Sequence, residues 1–478
     1  MHQAGRLSVS QHLRTTLAIA AVAALTGGLL TATAGPATAA GSNVPGDFNG
    51  DGYRDIAVSA PGAYVAGKSA AGQVVILWGG TTDPSNTRRT FISQDSPGIP
   101  GGAESGDRFG DAVVAQDFNG DGYADLAVGA PGEDVGTDTD GGTVAILWGS
   151  EAGLTSGVTV TDPAPASHDK FGRVLAALVD SDQKPDLAIG SDNPTIDVYR
   201  GGFTKAGGNG GGYRFVPPAS VTGAPTDIAS GNFGGGDLIA DIVVTGPSTY
   251  YALGSATGLS PAGTVKLPTS TSVAIGDFDN NAYEDIALGA PNEGGGAVRV
   301  FNSDAKGPSA TVSYTVTQDS PNIPGASEPG DRFGASLEIA ASRGYGSHLL
   351  AIGAPGESLG SATGTGAVTL VHGGEKGFDA IGADNTTYAR FFAQSTPDVP
   401  GNDETGDHFG SSLHLADTHN DTQWDLLVGV PDENAGDGAA VYFRGNNDPG
   451  PTGTPGISAS GTGVSTSGSP LFGVHLAG

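Results

Sequence analysis

One short apolar segment recurs seven times along the chain. Each copy contains five or six mainly aliphatic or β-branched residues and ends at Pro or Gly, which is typical of a β-strand that runs into a turn. The copies occupy 55–61, 125–131, 186–190, 241–247, 285–291, 349–355 and 425–431. The third and fourth copies are the least regular. A repeat of this kind predicts one supersecondary unit per copy.

The same neighbours surround most copies. A Phe-Gly pair upstream is predicted to open another short strand, at 109, 171, 333 and 409. A third strand is predicted downstream at 74–78, 144–148, 195–199, 298–301, 368–371 and 440–443, and a fourth at 89–94 and 388–394. Four short strands without helical periodicity describe a propeller blade. A solenoid would need shorter, stricter coils, and one sandwich does not accommodate seven such units.

The two ends of the chain complete the count. The first unit lacks its Phe-Gly strand, whereas Phe472-Gly473 begins an orphan strand at the C-terminus. The sequence therefore predicts an all-β fold, a seven-bladed β-propeller whose C-terminal strand closes blade one. The predicted blades cover 46–95 with 471–478, 107–162, 169–220, 226–268, 270–318, 331–394 and 407–457.

Phe-Gly followed by Gly-Ala-Pro resembles the FG-GAP repeat family, whose best-known members are integrin α subunits. The resemblance covers roughly residues 46–478 and is strongest in blades one, two, five, six and seven. It implies metal-binding loops between the first two strands of a blade and a ligand-receiving opposite face. Blade four has no Phe-Gly pair, and Asp192 lies near the Pro position of blade three.

The first forty residues have a different character. Residues 1–14 carry two arginines and no acid, 17–30 form an apolar run, and Ala37-Thr38-Ala39 offers a small-residue cleavage site. This layout predicts a cleaved secretory signal peptide over 1–39, with a retained membrane anchor as the alternative. We therefore expect a secreted, extracellular protein, monomeric and without a membrane span after cleavage, with one propeller domain over 40–478.

Charge and cysteine content narrow the chemistry. Loss of Arg6 and Arg14 with the signal leaves 19 basic residues against 51 acidic ones, a balance of −32. Such a surface repels nucleic acid and suits cations. The chain has no cysteine, so disulfides and cysteine-bound zinc are excluded. Stabilisation by bound cations is the expectation that remains.

Alternating acids define candidate calcium loops. Oxygen ligands fall at loop positions one, three, five and nine, with a carbonyl at seven and Gly at six for the sharp turn, and calcium prefers six to eight such oxygens. Blade one offers Asp47, Asn49, Asp51, the Tyr53 carbonyl and Asp55; blade two offers Asp117, Asn119, Asp121, the Tyr123 carbonyl and Asp125. Blade five offers Asp277, Asp279, Asn281, the Tyr283 carbonyl and Asp285, although Ala282 replaces the turn glycine.

The remaining blades depart from this pattern. Blade seven keeps Asp417, Asp421 and Asp425 but has His419 at position three, so a fourth calcium site there is left open. Blade six has Ala341, Arg343 and Tyr345, and we predict no metal there. Self-capping Asx turns are the alternative for every loop. We expect calcium to be structural.

The opposite face carries repeats of its own. Glu133, Glu293, Glu357 and Glu433 follow the Pro of their units, and Gln94, Gln318 and Gln394 each lie fifteen residues before a Phe-Gly pair. The favoured interpretation is structural, with these residues joining adjacent blades. A site for an extracellular protein or glycan on this face is the functional hypothesis.

No residue pattern predicts catalysis. Four histidines near the joint of blades seven and one (His408, His414, His419 and His475) are explained by substitution at repeat positions. We therefore predict a non-enzymatic binding or adhesion module. The alternative is a carbohydrate-binding or polysaccharide-cleaving propeller. Trp78 and Trp148 match each other, but no other blade has Trp there, which disfavours a lectin.

Overall fold

The structure is a computed structural model that describes residues 41–179, 182–234, 239–341, 348–374, 378, 389–446, 448–449 and 455–478. The predicted signal peptide lies outside these residues. Seven four-stranded antiparallel sheets are present in the described chain. Strands such as Ile56–Ala60 and Asp125–Ala130 are buried along their whole length, because both faces of each blade are covered by neighbouring blades.

Each blade is given by its strands from the centre outward. Blade one has Leu476–Ala477, Ile56–Ala60, Gln73–Leu77 and Arg89–Ile92; blade two has Ala112–Gln116, Asp125–Ala130, Thr143–Trp148 and Ser156–Val160. Blade three has Val174–Leu178, Asp186–Gly190, Ile196–Tyr199 and Gly212–Phe215; blade four has Asp227–Gly231, Asp241–Thr245, Tyr250–Ala252 and Val265–Lys266.

Blades five to seven follow the same order. Blade five has Ser272–Gly276, Asp285–Gly289, Val298–Phe301 and Tyr314–Val316; blade six has Ser336–Ala341, His348–Ala354, Ala367–His372 and Arg390–Phe392; blade seven has Ser412–Ala416, Asp425–Val430, Ala439–Phe443 and Gly456–Ser458. Ser303–Asp304 pairs with Gly307–Pro308, and Gly445–Asn446 with Asp448–Pro449. Short helical turns are Pro165–Ser167, Pro261–Gly263, Glu433–Gly436 and Ala459–Thr462.

The innermost strands form a closed ring. Each contacts the innermost strands of the two adjacent blades, and Leu476–Ala477 contacts those of blades seven and two. Within blade one, Ala57 pairs with Ala477 and Val58 with Leu476. The predicted closure by the C-terminal strand is therefore confirmed, as is the seven-bladed fold. No helix in the described ranges is long and apolar enough to cross a membrane.

The hydrophobic core consists of clusters between adjacent blades. The cluster between blades one and two includes Val74, Phe109 and Leu126, all essentially inaccessible to solvent. Corresponding clusters fill the other joints. Burial of these apolar faces is the main favourable contribution to the fold. Neighbouring blades therefore stabilise one another.

The Phe-Gly pair lies at the joint between blades, and the expectation that it opens a strand was wrong. The Phe109 amide donates to the Ala71 carbonyl of blade one at 3.0 Å, and the first strand of blade two begins only at Ala112. The same connection is made by Phe333 to Gly295. The Gly110 amide donates to the Gly129 carbonyl of its own blade at 2.9 Å, so the pair is bonded to both blades and links them.

The Gly of Gly-Ala-Pro packs against the next Phe-Gly pair. A Cβ atom on Gly129 would lie 2.0 Å from the Gly172 carbonyl oxygen, and one on Gly353 would lie 2.1 Å from the Gly410 oxygen. Real Cβ atoms do not approach backbone this closely. The two halves of the repeat are therefore linked by backbone contact between successive blades.

Candidate metal centre

The acidic loop of blade one curls around its first aspartate. Asp47 accepts hydrogen bonds from the amides of Gly50 and Gly52, each at 2.7 Å. The Asp51 side chain accepts from the Tyr53 amide at 3.0 Å. Gly52 has a φ of +89°, a left-handed conformation that glycine adopts without a Cβ penalty. The predicted turn is therefore formed, with its carboxylates drawn to one backbone curl.

Blade two repeats this geometry. Asp117 accepts from Gly120 at 2.8 Å and from Gly122 at 2.9 Å, and Asp121 accepts from the Tyr123 amide at 3.1 Å. The loops of the two blades also touch, since the Ala124 amide donates to the Asp47 carbonyl at 2.9 Å. They therefore share one face of the propeller, which we call the loop face.

The aspartate at loop position nine is buried in all three predicted loops. Asp55 accepts from the amides of Phe48 and Gly79, each at 2.9 Å, and so connects the loop to the end of the third strand. Burial raises the pKa of both Asp55 and Asp125 to about 8, and that of Asp285 to about 7. The neighbouring loop aspartates raise these pKa values further. A bound cation would remove this penalty, because it favours the ionised carboxylate.

Blade five gathers three acids most closely. Asp277, Asp279 and Asp285 each place a carboxylate oxygen within 4.8 Å of the others. Asn281 accepts from the Tyr283 amide at 2.8 Å, as Asp51 and Asp121 accept from Tyr53 and Tyr123 in the other two loops. Ala282, in the place of the turn glycine, adopts a left-handed φ of +71°.

Blades one and two offer a different donor at loop position three. Asn49 and Asn119 supply an amide oxygen where blade five has Asp279. Among the described residues, the acids of these two loops do not approach one another in threes as those of blade five do. All three loops nevertheless present oxygen donors alone, together with a buried carboxylate. This donor set fits a hard cation such as Ca²⁺.

Blade seven fills its loop with basic side chains. His419 is buried, with Nδ1 3.2 Å from Asp425 Oδ2 and Nε2 3.0 Å from Asp83 Oδ1 of blade one. The hydrogen bond to Asp425 raises the pKa of His419. Arg444 places Nη2 3.7 Å from Asp421 Oδ2. Imidazole and guanidinium groups thus occupy the surroundings that a metal ion would need.

Two of these partners were missed from the sequence. Asp83 and Arg444 come from strand connections outside the acidic loop, and Asp83 belongs to a different blade. The repeat pattern carries no signal for a contact between blades at positions that do not recur. In blade six, Arg343 and Tyr345 lie outside the described residues, so the absence of metal there stays a prediction.

Three of the four histidines near blade seven have separate acidic partners. His408 Nδ1 lies 2.7 Å from Asp432 Oδ2, and His414 Nδ1 lies 3.2 Å from Glu338 Oε1. His419 pairs with Asp83 and Asp425, as described above. His475 lies at the mouth of the central channel. The acidic partners of His408, His414 and His419 differ from one another, which fits independent substitutions at repeat positions.

The repeated Gln and Glu residues join adjacent blades. Gln94 donates to Glu133 at 2.5 Å and Gln394 to Glu433 at 2.7 Å, and Gln318 donates to Glu357 in the same way. In each pair the Gln follows one blade and the Glu belongs to the next. The structure thus agrees with their predicted structural role.

One of these pairs lies within a second acidic group. Glu328, Asp331 and Glu357 bring carboxylate oxygens within 4.8 Å of one another, on the face opposite the loop face. The Glu328 amide donates to Asp331 at 2.6 Å. Burial raises the pKa of Glu357 to about 7. This cluster belongs to the joint between blades five and six.

Glu293 occupies the matching position in blade five but pairs differently. Its carboxylate accepts a hydrogen bond from the guanidinium of Arg299 within its own blade. This contact lowers the pKa of Glu293. The fourth member of the predicted glutamate set is therefore not a link between blades.

These features define a β-propeller with acidic turn loops on one face. The FG-GAP repeat matches residues 39–77, 109–147 and 270–301, within blades one, two and five. The chain therefore carries FG-GAP repeats, as the Phe-Gly and Gly-Ala-Pro pattern implied.

Similar proteins match about a third of the chain. The phosphatidylinositol-glycan-specific phospholipase D of Bos taurus is 40% identical over 150 residues, which is 30% of this chain and 17% of that protein. Integrin alpha-6 of Gallus gallus is 34% identical over 159 residues, 32% of this chain and 13% of the integrin. The chain thus matches less than a fifth of the length of these relatives.

A more distant likeness is seen among solved structures. The BBS1N chain in a complex with ARL6DN aligns over 70% of this chain and 79% of its own, with 11% identity and a TM-score of 0.41. A likeness this loose adds nothing to the fold described above.

Proposed function

We propose that the protein is a secreted, calcium-binding β-propeller that acts as a non-enzymatic extracellular binding module. The proposal of calcium binding rests on the buried aspartate at loop position nine, which lies beside further acidic donors in three blades. Integrins and the phospholipase share the repeat, and the integrin name supports a binding role. The activity in the name of the phospholipase belongs to a protein of which this chain matches 17%, so we do not assign that activity to this chain.

Three loops would hold the ions. In blades one, two and five, the donors are the side chains at positions one, three, five and nine and the carbonyl of the tyrosine at position seven. Bound calcium would neutralise clustered carboxylates in a chain with 51 acidic residues and no cysteine. Metal binding would then supply part of the folding free energy.

An aromatic sugar-binding platform repeated in each blade is disfavoured by the structure. Trp148 is only 1% exposed, so its ring is unavailable to a ligand. Trp78 is half-buried and packs against the core between blades one and two. The alternative of a polysaccharide-cleaving propeller would need turnover, which a degradation screen on the purified protein measures directly.

The calcium proposal is tested by removing the metal and by removing one ligand. Chelation with EDTA should lower the melting temperature by many degrees, and added Ca²⁺ should restore it. Asp277→Asn keeps an acceptor oxygen but loses charge, so it should reduce bound calcium by one ion per chain. Glu151→Gln changes an exposed acid on the loop face and serves as the charge-matched control. An unchanged melting curve in EDTA would contradict the proposal.

A further inference from the structure

A cavity of about 540 Å³ opens on the face opposite the loop face, between blades two and three. Its lining includes Arg108, Asp111, Lys170, Arg173 and His475. Arg108, Lys170 and Arg173 place three positive charges in one cavity. The chain as a whole has 51 acidic residues against 21 basic ones. At physiological ionic strength distant charges are screened beyond about 8 Å, so the local side chains determine what the cavity attracts.

The repeat shows why this cavity differs from the other joints. Arg108 and Lys170 both precede a Phe-Gly pair, and both have left-handed backbones with φ of 59° and 60°. In blade two, Asp111 follows the pair and binds Arg108, with Oδ1 2.5 Å from Nη2. Blade three has Arg173 at the corresponding position. The acid that neutralises one cation is thus replaced by a second cation.

The balance of charge in the cavity favours an anion. Lys170 and Arg173 are both exposed to solvent, and Arg173 donates through Nε to the Pro225 carbonyl at 3.3 Å. That contact leaves the terminal nitrogens of the guanidinium for another acceptor. Asp140 also lines the cavity, whereas Asp111 is engaged by Arg108.

The cavity adjoins the mouth of the central channel. A second cavity of about 380 Å³ shares Asp111, Arg173 and His475 with it. Hydroxyl side chains line this mouth, at Thr226, Thr271, Ser272, Ser336, Ser411 and Ser412. The Ser336 hydroxyl donates to the Gly410 carbonyl at 2.7 Å and so presents its lone pairs as an acceptor.

We propose that this cavity binds the acidic group of a saccharide, a carboxylate or a sulfate, with Lys170 and Arg173 as the anion-binding residues. The hydroxyls at the channel mouth would meet the sugar hydroxyls. The volume lies in the range of small-ligand pockets. This inference rests on the proposed binding function and names the ligand chemistry of the face opposite the loop face.

The test measures binding of defined sugars to the calcium-loaded full chain by calorimetry. The probes are trigalacturonate for a carboxylate, N-acetylglucosamine 6-sulfate for a sulfate, and maltotriose as the neutral sugar. At least one acidic probe should bind, and maltotriose should bind about tenfold more weakly or not at all, since a hydrogen bond to a charged group is lost. The two acidic probes distinguish the possible sources of the anion.

The variants locate the site. Arg173→Gln and Lys170→Asn should each weaken the acidic probe by about tenfold. Arg332→Asn is the matched control, because Arg332 precedes the Phe-Gly pair of blade six with a φ of 61° and is exposed. Asn tolerates this conformation, so both Asn variants should fold.

The outcomes separate this inference from the proposed function. A melting temperature that does not change with calcium contradicts the proposed calcium binding, whether or not a sugar binds. No binding of either acidic probe by a chain that melts in a calcium-dependent way overturns the anion site alone. Equal weakening by Arg332→Asn and Lys170→Asn, or equal binding of maltotriose, also overturns it.

Discussion

His419 Nε2 lies 3.0 Å from Asp83 Oδ1, across the joint where blade seven meets blade one. Its other ring nitrogen faces Asp425 in the acidic loop of its own blade. Burial opposes ionisation of Asp425, but hydrogen bonds from His419, Gly445 and Thr418 together lower its pKa. The corresponding aspartates of blades one, two and five have raised pKa values. In blade seven, hydrogen bonds from the protein itself thus stabilise the ionised carboxylate of Asp425.

Removing these side chains should create a metal loop. In His419→Asn with Arg444→Ser, loop position three becomes the Asn found in blades one and two, while Asp417, Asp421 and Asp425 are kept. We expect one additional calcium ion per chain by equilibrium dialysis. Arg444→Ser alone leaves His419 in place and should bind the same number as the parent chain. Unchanged stoichiometry in a folded double variant would show that the basic side chains do not exclude the metal.

The turn of blade five contains a strained alanine. Ala282 has a φ of +71°, where Gly52 and Gly122 of the matching loops have +89°. Left-handed backbone costs an alanine about 1 kcal/mol relative to glycine. Ala282→Gly should therefore stabilise the protein by about 0.5–1 kcal/mol in urea unfolding with calcium present. Gly52→Ala is the reverse change in blade one and should destabilise by a similar amount; a loss of stability in Ala282→Gly would contradict this account.

The joint between blades five and six should respond to pH. Burial raises the pKa of Glu357 to about 7, from a usual value of about 4.5. The folded chain therefore holds this proton more tightly than the unfolded chain. The associated stability is complete below about pH 4.5 and is lost as pH rises through about 7.

An amide at this position should remove that dependence. Glu357→Gln is neutral at every pH and can still accept from the Gln318 amide, so it should be more stable than the parent at pH 8 by about 1–3 kcal/mol. Thermal melts at pH 5 and pH 8 measure the effect. Glu293→Gln is the control, because its ion pair with Arg299 lowers the pKa of Glu293 and predicts no gain at pH 8. A gain of the same size in both variants would refute the role of burial at Glu357.

The backbone contact between blades should not tolerate a methyl group. A Cβ on Gly353 would lie 2.1 Å from the Gly410 oxygen, so blade seven would have to move. Gly353→Ala should destabilise the protein by about 2 kcal/mol or more. Gly102→Ala adds the same methyl group where no atom lies within 4 Å and should be nearly neutral. Equal melting temperatures for the two variants would mean that the joint can relax.

Repetition is what made the fold and the loops predictable. Apolar alternation gave the blades, and the orphan strand after Phe472 gave the closure that the pairing of Ala57 with Ala477 confirms. The Phe-Gly pair was assigned to a strand because it adjoins one. The amide of its Phe donates instead to the preceding blade, and the sequence pattern does not show which blade receives that bond.

The candidate site was likewise predictable only where its contacts are local. Loop positions could be counted in the sequence because each turn is local. The basic surroundings of Asp425 depend on Asp83 and Arg444, and the anion cavity depends on Arg173 in a position that elsewhere is Asp, Ala, Ser or Val. Features that occur once and join distant segments require the structure.

The closing strand also orders the folding of the ring in time. Ala57 and Ala477 pair although 420 positions separate them along the chain. Contacts over such distances form late, because the entropy of closing the loop must be overcome before they are made. During synthesis blade one waits for its central strand until every other blade has emerged. Leu476–Ala477 thus closes the ring, and a chain that ends before this strand leaves blade one with an unpaired inner edge.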